Sequence, residues 1–76
     1  MESKQEMNGK FSVESRLADL GFPVEDDEEC WEEKENGYLY LHSPSIRTIY
    51  CVDPKSKSFR HRGTGRGCFY TDWEVI

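Results

Sequence analysis

The sequence predicts an α+β fold in which a short N-terminal helix packs on a four- to five-stranded antiparallel β-meander. Three features predict this fold: a helical apolar period that ends near residue 20, an Asn-Gly turn between aromatic segments, and alternating or β-branched runs beyond residue 37. The chain has 76 residues, of which 36% are apolar and 13% aromatic, so large rings must fill much of a small core. We therefore expect one small domain over residues 11–76, preceded by a flexible polar segment at residues 1–10.

The N-terminal helix is predicted over residues 13–20. Its apolar side chains recur at i, i+4 and i+7 on one helical face: Val13, Leu17 and Leu20. Ser12 is a suitable N-cap, Gly21 stands where a left-handed residue ends a helix, and Pro23 prevents continuation. A helix this short is unstable alone, so it must dock on an apolar surface.

Residues 24–36 allow two interpretations. This glutamate-rich run has the composition of a second helix, with a proline before it and a glycine after it. Alternatively, a strand over residues 30–34 turns through Asn36-Gly37 into a second strand that begins at Tyr38. An Asn-Gly turn between a tryptophan-bearing segment and an aromatic strand favours the hairpin, although the helix stays open.

Beyond residue 37 the chain is predicted to consist of strands and turns. Four strands are expected, over residues 38–43, 46–52, 58–62 and 68–76. A Ser-Pro-Ser turn, an Asp-Pro turn and a glycine-rich loop over residues 63–67 separate them. In the last strand, strict alternation would place Tyr70 on one face and Trp73 on the other.

The run from Trp31 to Pro54 resembles the WW domain, a three-stranded module that binds proline-rich ligands on a tyrosine–tryptophan surface. The residues that carry the resemblance are Trp31-Glu32, Gly37, Tyr40, Thr48 and Asp53-Pro54. The resemblance implies a three-stranded antiparallel sheet with Tyr40 in its groove. In this chain Cys51 stands where the family has a second, ligand-stacking tryptophan, and the family's histidine is displaced to His42.

Charge is divided unevenly along the chain. Residues 1–37 carry 12 acidic and 4 basic side chains, whereas residues 38–76 carry 3 acidic and 6 basic ones, for a net charge of −5. Such asymmetry is typical of a dipolar protein-binding face, or of a nucleic-acid surface with an acidic guard. It is also expected when two segments lie side by side and neutralise each other.

The acidic segment, residues 25–35, surrounds one tryptophan. Carboxylates around an exposed aromatic ring can steer a protein onto a basic groove and anchor it there. We therefore predict a small protein-binding module, regulatory or inhibitory, that contacts a protein partner with a basic surface. The predicted contact residues are Glu28, Glu29, Trp31 and Glu32.

The basic glycine-rich segment, residues 60–67, supports an alternative function. Glycine amides and flanking arginines can hold phosphate, and neighbouring aromatic rings can stack on bases. The alternative is therefore binding of single-stranded nucleic acid, RNA or DNA. Its predicted contact residues are Arg60, Arg62, Arg66 and Tyr70.

No catalytic, metal or cofactor site is predicted from the sequence. The three cysteines are widely spaced and lack the close pairs of a structural zinc site, and no nucleophile motif is present. A disulfide framework would use an even number of cysteines, and no apolar run is long enough to span a membrane. We therefore expect a non-enzymatic cytoplasmic protein that does not bind membranes.

Overall fold

The computed structural model describes residues 12–76. Within this range a helix, α1, covers residues 12–19. Five strands follow it: β1 (Glu29–Glu33), β2 (Tyr38–Ser43), β3 (Thr48–Asp53), β4 (Ser58–Gly63) and β5 (Glu74–Val75). Each strand pairs antiparallel with the next, so the sheet order is β1-β2-β3-β4-β5. The predicted α+β meander is confirmed, and the flexible segment predicted for residues 1–10 lies outside the described residues.

The end of α1 follows the predicted glycine stop. Gly21 has a φ of +97°, and its N–H donates to the Ala18 carbonyl at 3.0 Å. The Phe22 N–H reaches back to the Leu17 carbonyl at 2.8 Å, which completes a Schellman motif. Ser12, the predicted N-cap, is already helical.

The acidic segment forms the hairpin and not the second helix. Strand β1 ends at Glu33, and the Gly37 N–H donates to the Glu33 carbonyl at 2.8 Å across the turn. Gly37 has a φ of +79°, which explains why glycine follows Asn36 here. The Asn36 side chain also accepts a hydrogen bond from the Tyr38 N–H at 3.0 Å, so the turn residues close the hairpin locally.

Strand β3 starts two residues later than predicted. Residues Pro44–Ile46 form a 3-10 turn, and Arg47 ends it in the left-handed conformation with a φ of 52°. The proline at the start of the turn favours this local helical geometry. The β-branched side chain of Ile46 is consequently 59% exposed outside the sheet.

The final strand is much shorter than the predicted strand over residues 68–76, because only Glu74–Val75 is assigned as β5. Glu74 stands opposite Phe59, and the Thr71 N–H donates to the His61 carbonyl at 2.8 Å. Two residues of the C-terminal segment, Asp72 and Trp73, therefore lie opposite Arg60, the single residue between Phe59 and His61. This is the arrangement of a β-bulge, which breaks the alternation of side chains.

The core lies between α1 and one face of the sheet. Its buried members are Val13, Leu17, Leu39, Leu41 and Val52. Phe22 packs beside them, with ring centroids 5.7 Å from Tyr50 and 5.3 Å from Phe59. The helix also contacts β1, where Arg16 pairs with Glu32 at 3.5 Å.

The strand register fixes which side chains reach this core. Leu39 is opposite Val52, which is opposite Phe59, and all three face α1. Residues directly opposite one another share a face, and their neighbours along each strand point away. The side chains between these core positions must therefore lie on the face away from α1, which we name the open face.

We expect Leu17→Ala to lower the free energy of unfolding by about 2–5 kcal/mol, because Leu17 is fully buried and the change leaves a cavity. Ile46→Ala is the control, since this side chain is largely exposed and should change stability by about 0.5 kcal/mol or less. Urea unfolding followed by far-ultraviolet circular dichroism measures both. Equal effects of the two substitutions would contradict the docking of α1 on the sheet.

Candidate functional site

The open face carries a row of side chains that crosses four strands. Trp31 is opposite Tyr40, Tyr40 is opposite Cys51, and Cys51 is opposite Arg60. At a strand spacing of about 4.8 Å, this row spans roughly 14 Å. Cys51 in the middle is fully buried, whereas Trp31 at the β1 end is 43% exposed. The row therefore has an accessible aromatic end on β1 and an arginine end on β4.

At the β4 end, the Arg60 guanidinium contacts two aromatic rings of the C-terminal segment. Its Cζ lies 4.4 Å from the centre of the Tyr70 ring and 4.5 Å from the centre of the Trp73 ring. Both contacts are cation–π interactions. The Nε atom of Arg60 is buried and has no hydrogen-bond partner among the described residues, so the rings surround this group closely.

This contact corrects the predicted alternation of the last strand. Tyr70 and Trp73 were expected on opposite faces, but both rings reach Arg60 on the open face. The bulge provides the physical reason, because one extra residue opposite Arg60 shifts the side-chain pattern. The C-terminal segment therefore contributes two rings to the same surface.

A second arginine joins this cluster. The Cζ of Arg62 lies 5.4 Å from the centre of the Tyr70 ring, and its Nη1 donates to the Gly63 carbonyl at 3.2 Å. The Trp73 ring also contacts Tyr38 edge-on, with centroids 5.4 Å apart. We name Arg60, Arg62, Tyr70 and Trp73 the arginine cluster.

The β1 end of the row is an aromatic stack beside a carboxylate. The Trp31 and Tyr40 rings are nearly parallel, at 7°, with centroids 5.4 Å apart. The Tyr40 hydroxyl donates to Glu33 Oε1 at 2.8 Å. Burial raises the pKa of Tyr40, and hydrogen bonds to Glu33 and Cys51 raise it further, so the hydroxyl stays protonated and donates to Glu33.

The residues predicted for protein binding are divided between two faces. Glu29 and Trp31 lie on the open face, opposite His42 and Tyr40. Glu32 lies on the α1 face, and it forms the ion pair with α1 described above.

Glu28 precedes β1, and its Oε1 accepts a hydrogen bond from the Glu25 N–H at 2.9 Å. Glu33, which was not predicted, shares the open face with Glu29 and Trp31. The period of two along β1 could have identified it, whereas the acidic segment taken as one block could not.

Three of the four residues predicted for nucleic-acid binding come together. Arg60, Arg62 and Tyr70 are in contact on the open face. Arg66 is exposed in the loop between β4 and the C-terminal segment. Sequence reasoning missed the participation of Tyr40 and Trp31 in the same row, because pairing across strands depends on register.

Residues 12–76 contain neither a helix that could span a membrane nor a group of side chains that could hold a metal ion. No helix within residues 12–76 is long and apolar enough to cross a membrane. Over the same range, no three histidine, cysteine or acidic side chains are grouped so that they could hold a metal ion.

Comparison of the chain with models of protein families, with curated proteins and with solved structures finds no match. The three strands β1 to β3 reproduce the antiparallel sheet implied by the resemblance to the WW domain, but no family model supports membership. The function of this protein must therefore be inferred from the geometry of the open face.

Because its folded pKa is raised, Tyr40 should ionise well above the ordinary tyrosine value of about 10. The neutral hydroxyl contributes fully to the stability of the fold below the ordinary tyrosine pKa of about 10. This contribution is lost as the pH rises further, through the higher pKa of the folded protein. Alkaline difference spectroscopy should show a late-titrating tyrosine that disappears in Tyr40→Phe. Persistence of the late step in that variant would contradict the assignment.

We expect Arg60→Ala to loosen the C-terminal segment, because it removes two cation–π contacts worth about 0.5–2 kcal/mol each. Hydrogen exchange at the Thr71 amide, which is bonded to His61, should accelerate roughly five-fold or more. Lys55→Ala, in an exposed turn, removes the same charge and should leave this exchange unchanged. Equal exchange in both variants would show that the cluster does not hold the segment.

Proposed function

We propose that this protein binds single-stranded nucleic acid across the open face of its sheet, as a non-enzymatic binding module. One observation carries the proposal: Arg60 and Arg62 lie on the same face and both contact the Tyr70 ring, at 4.4 and 5.4 Å. Cations attract phosphate, and aromatic rings stack on bases. The arginine cluster offers both in one place.

Stacking against the aromatic rings holds the arginine side chains in a conformation that can bind phosphate. A guanidinium that lies on a ring face keeps N–H groups at its edge, and these can bind a phosphate in a bidentate manner. Holding the side chain in place before the ligand arrives also reduces the entropy lost on binding. Arg62 is the better phosphate ligand of the two, because Arg60 has its Nε buried among the rings.

The exposed rings favour a single strand over a duplex. Unpaired bases can leave their stack and lie on aromatic side chains, which paired bases cannot do without opening the helix. Trp31 and Trp73 are 43% and 40% exposed on the open face. Among residues 12–76, the open face is a pleated sheet surface, and the one α-helix lies on the opposite face, where it cannot enter a duplex groove together with these rings.

The net charge of −5 does not oppose this proposal, because the charges are separated. Residues 38–76, which include β2 to β5, carry twice as many basic as acidic side chains. Exposed Arg66 extends the positive region from the arginine cluster into the adjoining loop. Electrostatic attraction to phosphate is therefore local to the β4 side of the sheet.

A protein partner with a basic surface is the second candidate ligand. The observation that favours it is the accessible Trp31 ring, which lies on the open face with Glu29 and Glu33 along one strand. An aromatic anchor between carboxylates suits a lysine- or arginine-rich surface. Glu28 and Glu32 are engaged elsewhere, so this contact would use a smaller acidic set than the sequence predicted.

Fluorescence anisotropy of a labelled single strand of roughly a dozen nucleotides tests the proposal. Binding should weaken steeply as salt rises, because phosphate contacts release counterions. Arg62→Gln should weaken binding and reduce the slope of log affinity against log salt by about 0.7, the contribution of one phosphate contact.

Lys34→Gln is the matched control, because Lys34 is an exposed cation in the β1–β2 turn, away from the arginine cluster. It should leave the affinity and the salt slope close to those of the parent protein. Absence of binding even at low salt would overturn the proposal, and so would equal losses from both substitutions.

A further inference from the structure

We infer that Trp31 is a base-stacking platform and that Glu29 and Glu33 select a base that carries an exocyclic amino group, cytosine above all. This inference rests on the proposed function and assigns the β1 end of the row a role in sequence preference. The arginine cluster does not account for Trp31, Glu29 and Glu33 on β1, and this role explains why an aromatic ring and two carboxylates share that end of the open face.

The Trp31 ring has the geometry of a stacking platform. Tyr40 lies beside it with the two rings nearly parallel, at 7° and with centroids 5.4 Å apart, and so supports one side of the indole. The indole is nevertheless 43% exposed, so it can stack with a ligand ring. The hydrogen bond from Tyr40 to Glu33 holds the supporting ring in turn. A base can therefore add to an existing stack without ordering new side chains.

The carboxylates beside this platform set its chemical preference. Glu29 and Glu33 lie two residues on either side of Trp31 and on the same face, roughly 7 Å from it along the strand. An ionised carboxylate only accepts hydrogen bonds, and a cytosine amino group is a suitable donor. Thymine and uracil present a carbonyl oxygen at that position, which a carboxylate would repel.

Charge also determines which part of the bound nucleic acid lies at each end of the row. Carboxylates at β1 disfavour phosphate there, while Arg60 and Arg62 attract it on β4. The two ends of the row are roughly 14 Å apart. Phosphates are thus held on β4, and the nucleic acid crosses the sheet so that the base of a nucleotide further along reaches Trp31 on β1. The division of charge along the sequence thereby separates the phosphate contacts on β4 from the base contacts on β1.

Matched oligodeoxycytidylate and oligodeoxythymidylate of equal length test the inference by fluorescence anisotropy. The parent protein should bind the cytosine strand roughly five-fold or more tightly, the size of one base-specific contact. Trp31→Ala should weaken cytosine binding by a similar factor, the size of one stacking contact. Trp31→Phe keeps a ring and should retain most of the affinity, which separates stacking from a folding defect.

The carboxylates are tested first by Glu29→Gln, which should reduce the preference for cytosine over thymine. Glu33→Gln should reduce the preference as well, and it also weakens the hydrogen bond that Glu33 accepts from Tyr40. Glu35→Gln, in the exposed β1–β2 turn, removes the same charge away from the platform and should leave the preference intact. Equal effects of all three changes would overturn the role of Glu29 and Glu33 as base ligands.

The outcomes separate this inference from the proposed function. If Arg62→Gln reduces binding while Trp31→Ala and the choice of base have no effect, the inference fails and the proposed function stands. If neither strand binds at any salt concentration, both fail, and the basic protein partner becomes the leading explanation of the exposed tryptophan.

Discussion

The register of β2 against its neighbours is the constraint on which both surfaces of this sheet depend. Leu39 and Val52 are paired and fully buried, so their side chains fix one face of the sheet against α1. A shift of β2 by one residue would turn Leu39 to solvent and bring Tyr40 into the core, at the cost of the apolar burial that stabilises a small domain. The same pairing therefore builds the core and presents the opposite row. A change of register would therefore disrupt the core and the candidate site together.

Much of the fold could be predicted because its determinants are local. Gly21 ends the helix, Asn36-Gly37 closes the first hairpin, and alternation along β2 identifies the buried positions. The C-terminal segment could not be predicted in the same way. Its bulge lets Tyr70 and Trp73 reach Arg60 together, and that contact joins residues distant in sequence. Alternation is a rule for regular strands, so it fails where a tertiary contact favours an extra residue.

The candidate site could be predicted only in part, for a related reason. Arg60 and Arg62 are two residues apart on one strand, so their shared face follows from the sequence once β4 is recognised. The acidic segment shows the opposite case, because neighbours such as Trp31 and Glu32 point to different faces. The continuity between the arginine cluster and the Trp31 stack required the register across four strands. No single stretch of sequence contains that information.

We expect ligands to bind on the open face. The most direct test is a titration of isotope-labelled protein with oligodeoxycytidylate, followed by amide and tryptophan side-chain nuclear magnetic resonance signals. We expect the largest shift changes at the Trp31 and Trp73 indoles and at open-face positions on β4, with small changes at Leu17 and the rest of α1. Changes concentrated on α1, or scattered without regard to face, would contradict this account.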